Sequence, residues 1–277
     1  MQKRVAAIHD ISCFGKCSLT VALPIISAAG IECAGIPTAV LSTHTGGFTG
    51  FTFRDLTEDM PLIEAHWNKE NIKFDAVYTG YLGSAKQIDY VKSLCASCKK
   101  ETAPLIVDPA MADNGKLYVG FDMEFVKEMR TLCAQSDYLL PNLTEACLLI
   151  GEEYQEKYDE SYIDGVLSKL SELTSGAIVL TGIGFAKNKT GVIVFEKGEK
   201  QYYEHEKMPK GCHGTGDIYA SAFVGALARG KSAFEAAKIA ADYVVLCIKA
   251  TQSDPEHWYG ARFEIVLPEL IKMLSAQ

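Results

Sequence analysis

The stretch Lys210-Gly-Cys-His-Gly-Thr-Gly-Asp217 sets glycines and a carboxylate directly against an apolar run, IYASAFVGALA. If that run is a helix, Gly214, Thr215 and Gly216 leave three consecutive N–H groups at its N-terminus, where unpaired donors and the helix dipole bind anions. Asp217 then falls in the first turn, and taken alone it also reads as an ordinary helix-start carboxylate beside a tight turn. A second stretch, Gly225-Ala-Leu-Ala-Arg-Gly230-Lys231-Ser232, matches GxxxxGK[ST] letter for letter. A phosphate-cradling loop of that kind must leave a buried strand and open a helix. Here it follows a helical run, with Arg229-Gly230 as a C-terminal cap and Ser232 and Glu235 as a capping box, so we read a helix-turn-helix corner.

The elements that must position these residues alternate along the chain. Strand-like runs at 5–9, 32–40, 75–82, 104–109, 137–142 and 177–182 alternate with helical patterns at 18–29, 60–70, 84–99, 123–135, 143–150 and 160–174. Continuous apolar strands separated by helices predict an α/β fold: one open, mostly parallel sheet between two helical layers, forming a single domain over 1–277. Runs at 190–198 and 201–207 predict an edge hairpin, and 215–276 is nearly all helical in pattern. The Gly-, Thr- and Phe-rich segment 42–53 reads either as a flap over a site or as a surface hairpin.

Ligands of open α/β sheets bind at the carboxyl ends of the strands. The sequence puts Asp10 and Ser12 after the first strand, Tyr81 after the third, Asp108 and Asp113 after the fourth, Asn142 and Glu145 after the fifth, and Thr181 and Gly182 after the sixth. Such oxygen donors suit Mg²⁺ held partly through water and substrate phosphates, with the GTGD turn facing a transferring phosphoryl group. Asn142 and Glu145 also fit a plain helix cap. Together the groups describe a kinase without a P-loop.

The chain has 277 residues, a net charge of -8 and 48% hydrophobic residues. That balance argues against a phosphate-tracking nucleic-acid binder and leaves small molecules or proteins as partners. The N-terminus has too short an apolar core for a signal peptide, and no run spans a bilayer, so a cytoplasmic protein is expected. Nine scattered cysteines suit reduced thiols; Cys95 and Cys98 form a lone CxxC without further metal ligands.

STHTGGFTG, DAVYTGYLGS, VDPAMAD, LLPNLTE and GTGD, in that order, resemble the motifs of the ribokinase-like (PfkB-type) small-molecule kinases, and most closely the vitamin B6 (pyridoxal/pyridoxamine) kinases. The resemblance implies ATP-dependent phosphorylation of the 5′-hydroxymethyl group of pyridoxal, pyridoxamine or pyridoxine by a homodimer that needs Mg²⁺, with a monovalent cation as a further candidate. It implies Asp217 as general base and Gly214, Thr215 and Gly216 as anion hole. Asn142, Glu145, Asp108 and Asp113 would organise nucleotide and metal, with Glu145 and Asp108 the metal residues, directly or through water. Thr181 and Gly182 would line the nucleotide site, and Asp10, Ser12, His44, Thr45 and Tyr81 would meet the vitamer. Asp10 departs from the serine common in these kinases and would favour a cationic partner. His213 also resembles the hydroxymethylpyrimidine kinases, which often carry Cys where this chain has Asp217. A hydroxymethylpyrimidine or sugar kinase on the same fold is the enzyme alternative. A silent vitamer-binding protein would need neither base nor metal organiser.

Overall fold

The computed structural model describes residues 2–209, 211–254 and 256–275; Lys210, the first residue of the GTGD stretch quoted above, lies outside the described residues. The chain begins with β1 (Arg4–Phe14), α1 (Leu19–Ala28), β2 (Glu32–Thr43), β3 (Phe53–Asp55), α2 (Met60–Lys69), β4 (Ala76–Thr79) and α3 (Ala85–Cys98). It continues with β5 (Leu105–Val107), β6 (Ala112–Asp113), β7 (Lys116–Leu117), α4 (Met123–Cys133), β8 (Tyr138–Leu139), α5 (Leu143–Ile150) and α6 (Glu160–Leu173). The remainder is β9 (Ala177–Ile183), β10 (Lys189–Glu196), β11 (Glu199–Glu206), α7 (Thr215–Ala228), α8 (Ala233–Gln252) and α9 (Leu267–Ser275).

Nine strands form one sheet in the order β11-β10-β9-β8-β5-β4-β1-β2-β3, and β6 pairs with β7 in a separate small hairpin. The inner pairs from β9 to β2 are parallel, while β10 and β11 at one edge and β3 at the other run antiparallel. Alternation along the buried strands divides the core in two. Ala6, Ile8 and Val77 face the apolar side chains of α3, α4, α5 and α6, whereas Val5, Ala7, Ala76 and Tyr78 face those of α1, α7, α8 and α9. The three-layer α/β architecture expected from the periodicity is the one observed. No helix among the described residues is long and apolar enough to cross a membrane.

Two features differ from the sequence reading. β1 does not end at residue 9: it continues along β2, with Ser12 opposite Leu41 and Phe14 opposite Thr43, while its pairing with β4 stops at Ile8 opposite Thr79. Asp10 and Ser12 therefore lie inside β1, where it outruns β4 and one side of the strand opens into a crevice. The second is the hairpin β6–β7, too short to show a strand period.

Gly225 is buried within α7, Arg229 caps its C-terminus, and Ser232 caps α8 in a full capping box with Glu235, so GxxxxGKS is a helix-turn-helix corner. Cys95 and Cys98 are free thiols on α3. Replacing Lys231 by Ala is expected to leave nucleotide affinity unchanged, whereas Ser232→Ala should cost about 1 kcal/mol in urea unfolding, the usual loss for an N-cap. A strong nucleotide-binding defect in the Lys231 variant would contradict the corner.

Candidate active site

At the head of α7, Gly214 adopts φ 77° as N-cap, and a Cβ there would stand 1.5 Å from the Lys16 carbonyl oxygen. Glycine is thus required both by the left-handed backbone and by the close approach of the loop after β1. The first helical bond is Ile218 N–H to the Gly214 carbonyl at 2.9 Å, so the N–H groups ahead of it in the turn are left for a ligand. Thr215 ties its hydroxyl back to the Cys212 carbonyl at 3.2 Å, bracing the turn.

Asp217, third residue of α7, sits where these groups converge. Burial pushes its carboxyl up to about 7, and negative charge on Asp108 and Asp10 adds to the push; an N–H bond from Ser18 opposes it. Asp10 is 5% exposed and accepts from Ser12 Oγ at 3.0 Å and from Ser18 Oγ. Burial raises the Asp10 carboxyl, while these hydroxyls hold it back. Ser18 has φ 59° and, although it is the N-cap of α1, its side chain caps nothing in that helix. It serves Asp10 through its hydroxyl and Asp217 through its N–H, so backbone strain joins the two carboxylates.

His44 is buried next to Asp10. Its Nδ1 accepts the Gly46 N–H at 3.1 Å, which leaves Nε2–H to donate to the Tyr259 carbonyl at 2.7 Å. The His44 charge acts on Asp10 in the same direction as the two hydroxyls, as the smallest of the named influences. Tyr81 packs on Phe121 with ring centroids 5.4 Å apart, and the Asp10 charge helps raise its phenol after burial has done most. Thr45 is exposed on the flap. The sequence stretch 42–53 is mostly an irregular loop closed by the three-residue β3, and it lies against the site rather than standing free as a hairpin.

On the other side of Asp217, Asn142 and Glu145 form the capping box of α5. Asn142 Oδ1 accepts the Glu145 N–H at 3.0 Å, and its amide donates to the Ala112 carbonyl at 2.8 Å. Glu145 accepts from the Asn142 and Met111 N–H groups at 3.0 Å each and from Ala112 N–H at 3.4 Å. The cap is realised, and Glu145 is largely spent on it. Among the described residues Asp108 accepts the Ala110 N–H at 3.2 Å; burial and the Glu145 charge drive its carboxyl upward. Asp113 is turned to Asn114 in the β6–β7 turn. Thr181 bridges to the Pro141 carbonyl at 3.3 Å, and Gly182, at φ 76°, is the extra residue of a bulge in β9 opposite Gly191 and Val192.

Asp108 stands between two other buried carboxylates, with the Glu145 charge acting on it and its own charge acting on Asp217. The pushes on all three are burial and other carboxylates. Among the described residues no group of three or more His, Cys, Asp or Glu could hold a metal ion. Two contributors escaped the sequence. Ser18 has the look of a helix cap, and Tyr118 is a half-exposed residue of β7's outer end whose phenol is raised by burial and then by Glu145, Asp113, Asp108 and Asp217.

Comparison with known proteins bears on the fold and the family. A Bacteroides thetaiotaomicron protein described as a phosphomethylpyrimidine kinase and solved with pyridoxal superposes with a TM-score of 0.91 at 37% identity, covering 98% of this chain and 96% of that one. Pyridoxal kinase from Lactobacillus plantarum superposes at 0.92 with 29% identity, covering 99% and 98%. The probable thiamine biosynthetic bifunctional enzyme of Oryza sativa is 24% identical over 79% of this chain, which spans 39% of that relative's length. The phosphomethylpyrimidine kinase family model matches residues 23–261. With that span covered and the ribokinase-like fold in place, the chain belongs to the phosphomethylpyrimidine kinase family.

Proposed function

We propose that the chain is an ATP-dependent kinase that phosphorylates the 5′-hydroxymethyl group of a B6 vitamer. The observation that carries this reading is the place of Asp217, in the first turn of α7 beside open N–H donors and between Asp10 and Asp108. In the proposed reaction the substrate hydroxyl oxygen bonds to the γ-phosphorus as the bond to the ADP oxygen breaks. Asp217 accepts the hydroxyl proton, and the Thr215 and Gly216 N–H groups face the charge on the transferring group. Phosphoryl transfer needs mainly positioning and charge stabilisation, which helix-end donors supply without moving. Asp108, with Glu145 behind it, would hold Mg²⁺ through water; bound there, the ion would neutralise phosphate charge.

Asp10 sharpens the acceptor. It is a buried carboxylate held by two hydroxyls and lying beside His44, a setting that calls for a cationic group on the ligand. A protonated pyridine nitrogen or a vitamer amine meets that need. The structure solved with pyridoxal and the Asp217 carboxylate support the vitamer. The family model, the thiamine relative and His213 favour hydroxymethylpyrimidine as a second reading. Assay of ADP release with ATP, Mg²⁺ and each vitamer, hydroxymethylpyrimidine or ribose separates them. Turnover of hydroxymethylpyrimidine alone would overturn the vitamer reading, and tight vitamer binding without turnover would favour a silent binder.

Asp10→Asn is expected to raise the vitamer KM about 10- to 100-fold, the size of a lost hydrogen bond to a charged group, with the ATP KM little changed. The acid limb of kcat/KM should fall about tenfold per pH unit below about 7, because the base must be ionised.

Asp217→Asn should lower kcat by roughly 10²–10⁴ while substrate affinity persists. The same variant should be more stable at pH 8. The folded carboxyl titrates near 7 and the unfolded one near the ordinary aspartate value, so between those values the folded chain binds more protons and stability falls as pH rises. Removing the charge should recover on the order of 1–3 kcal/mol in thermal unfolding. A carboxylate serving only the helix dipole would give the opposite sign.

A further inference from the structure

The flap does not rest on its own strands. Beyond the hydrogen bonds that close its base between Ser42 and Thr52, its contacts run to Phe14 at the end of β1, to His213 and to loop 256–261, which joins α8 to the C-terminal helix. Phe48 packs on Trp258 with ring centroids 4.7 Å apart, and His44 donates to the Tyr259 carbonyl at 2.7 Å. Phe14, at the end of β1, packs on Tyr259 at 4.7 Å.

The backbone fits equally closely. A Cβ on Gly47, which has φ +83°, would meet the Trp258 ring at 3.0 Å, and one on Gly46 would meet the His213 ring at 2.7 Å. His213 immediately precedes the GTGD turn, and its carbonyl accepts the Ala261 N–H at 3.3 Å. Loop 256–261 therefore touches both the flap that carries His44 and the turn that carries Asp217. Its flanks are held by Arg262 on Asp254 at 3.2 Å and by the Arg262 N–H on Thr251 at 2.8 Å.

We propose that loop 256–261 is the seat on which the flap closes, with Trp258 the residue that positions it. Opening the flap breaks the Phe48–Trp258 contact and the His44–Tyr259 bond together, and it withdraws the glycine backbone from His213. Closure on the acceptor side is thereby joined to the geometry of the anion-binding turn. Trp258 touches no reacting group; it acts through Phe48 and Gly47. For its substrate readout the proposal rests on the kinase reading above.

Two measurements test it. In steady-state kinetics Trp258→Ala is expected to raise the acceptor KM at least tenfold with the ATP KM within about twofold, and Trp258→Phe should restore most of the loss by keeping a ring beneath Phe48. In hydrogen exchange of the same variants without substrate, amides of residues 44–50 should exchange at least tenfold faster in Trp258→Ala than in the parent, while α3 and α4 are unchanged. An acceptor KM that does not move in an active Trp258→Ala enzyme, or unaltered exchange at 44–50, overturns the seat. If the parent turns over no acceptor, the kinase reading falls and hydrogen exchange alone decides the seat. Faster exchange throughout the chain would mark a folding defect; Phe48→Ala, which empties the flap side and leaves the loop intact, then replaces it, and unaltered exchange at 44–50 in that variant rejects the proposal.

Discussion

Buried negative charge gathered at the carboxyl ends of the strands is the constraint to which the rest of the site answers. Asp10, Asp108, Glu145 and Asp217 share one crevice, and burial raises all four. Each is met by donors that carry no charge: two serine hydroxyls for Asp10, three N–H groups for Glu145, one N–H for Asp108. Such donors keep the carboxylates in the fold without neutralising them. The arrangement spends stability to hold carboxylates together where a cationic ligand group would relieve them. Ser18 shows the cost locally, since it holds a left-handed backbone and gives up capping its own helix in order to bind two of the four.

The fold was readable because its signals are regional. Runs such as PLIVDP and AIVLTG are too uniformly apolar for a half-exposed strand, and the helical patterns between them demand crossovers, so the parallel sheet and its two helical layers follow from period alone. The length of β1 was not readable. Its extension past residue 9 depends on continued pairing with β2 after β4 has ended, and nothing local in HDISCF announces a neighbour so far along the chain. The β6–β7 hairpin carries two residues per strand, below the length at which alternation can register.

In the site, strand-end placement brought the carboxylates together correctly, but types and spacing could not say how each would be used. Asn142 and Glu145 carry two compatible patterns, and the structure realises the cap; the same bonds that build it consume most of the acceptor capacity of Glu145. Asp113 is on the rim by sequence and turned to its own hairpin in space. Tyr118 gave no signal because a tyrosine in an irregular segment has no spacing to betray it, and its proximity to four carboxylates is a property of the folded chain alone. The Walker-like stretch shows the converse, a perfect pattern with the wrong element ahead of it.

Gly46 and Gly47 lie at the point where flap, seat and anion-binding turn meet, and the room for their backbone is taken up by two aromatic rings from distant parts of the chain. Segments so interlocked cannot drift apart freely in descent. A larger residue at 46 demands a smaller one at 213, and a change at 258 reshapes what 47 and 48 can be. Flaps exchanged between relatives of this fold would therefore be expected to work only when residues 213 and 256–261 travel with them, which makes the flap and the C-terminal loop one inherited module despite about two hundred residues of chain between them.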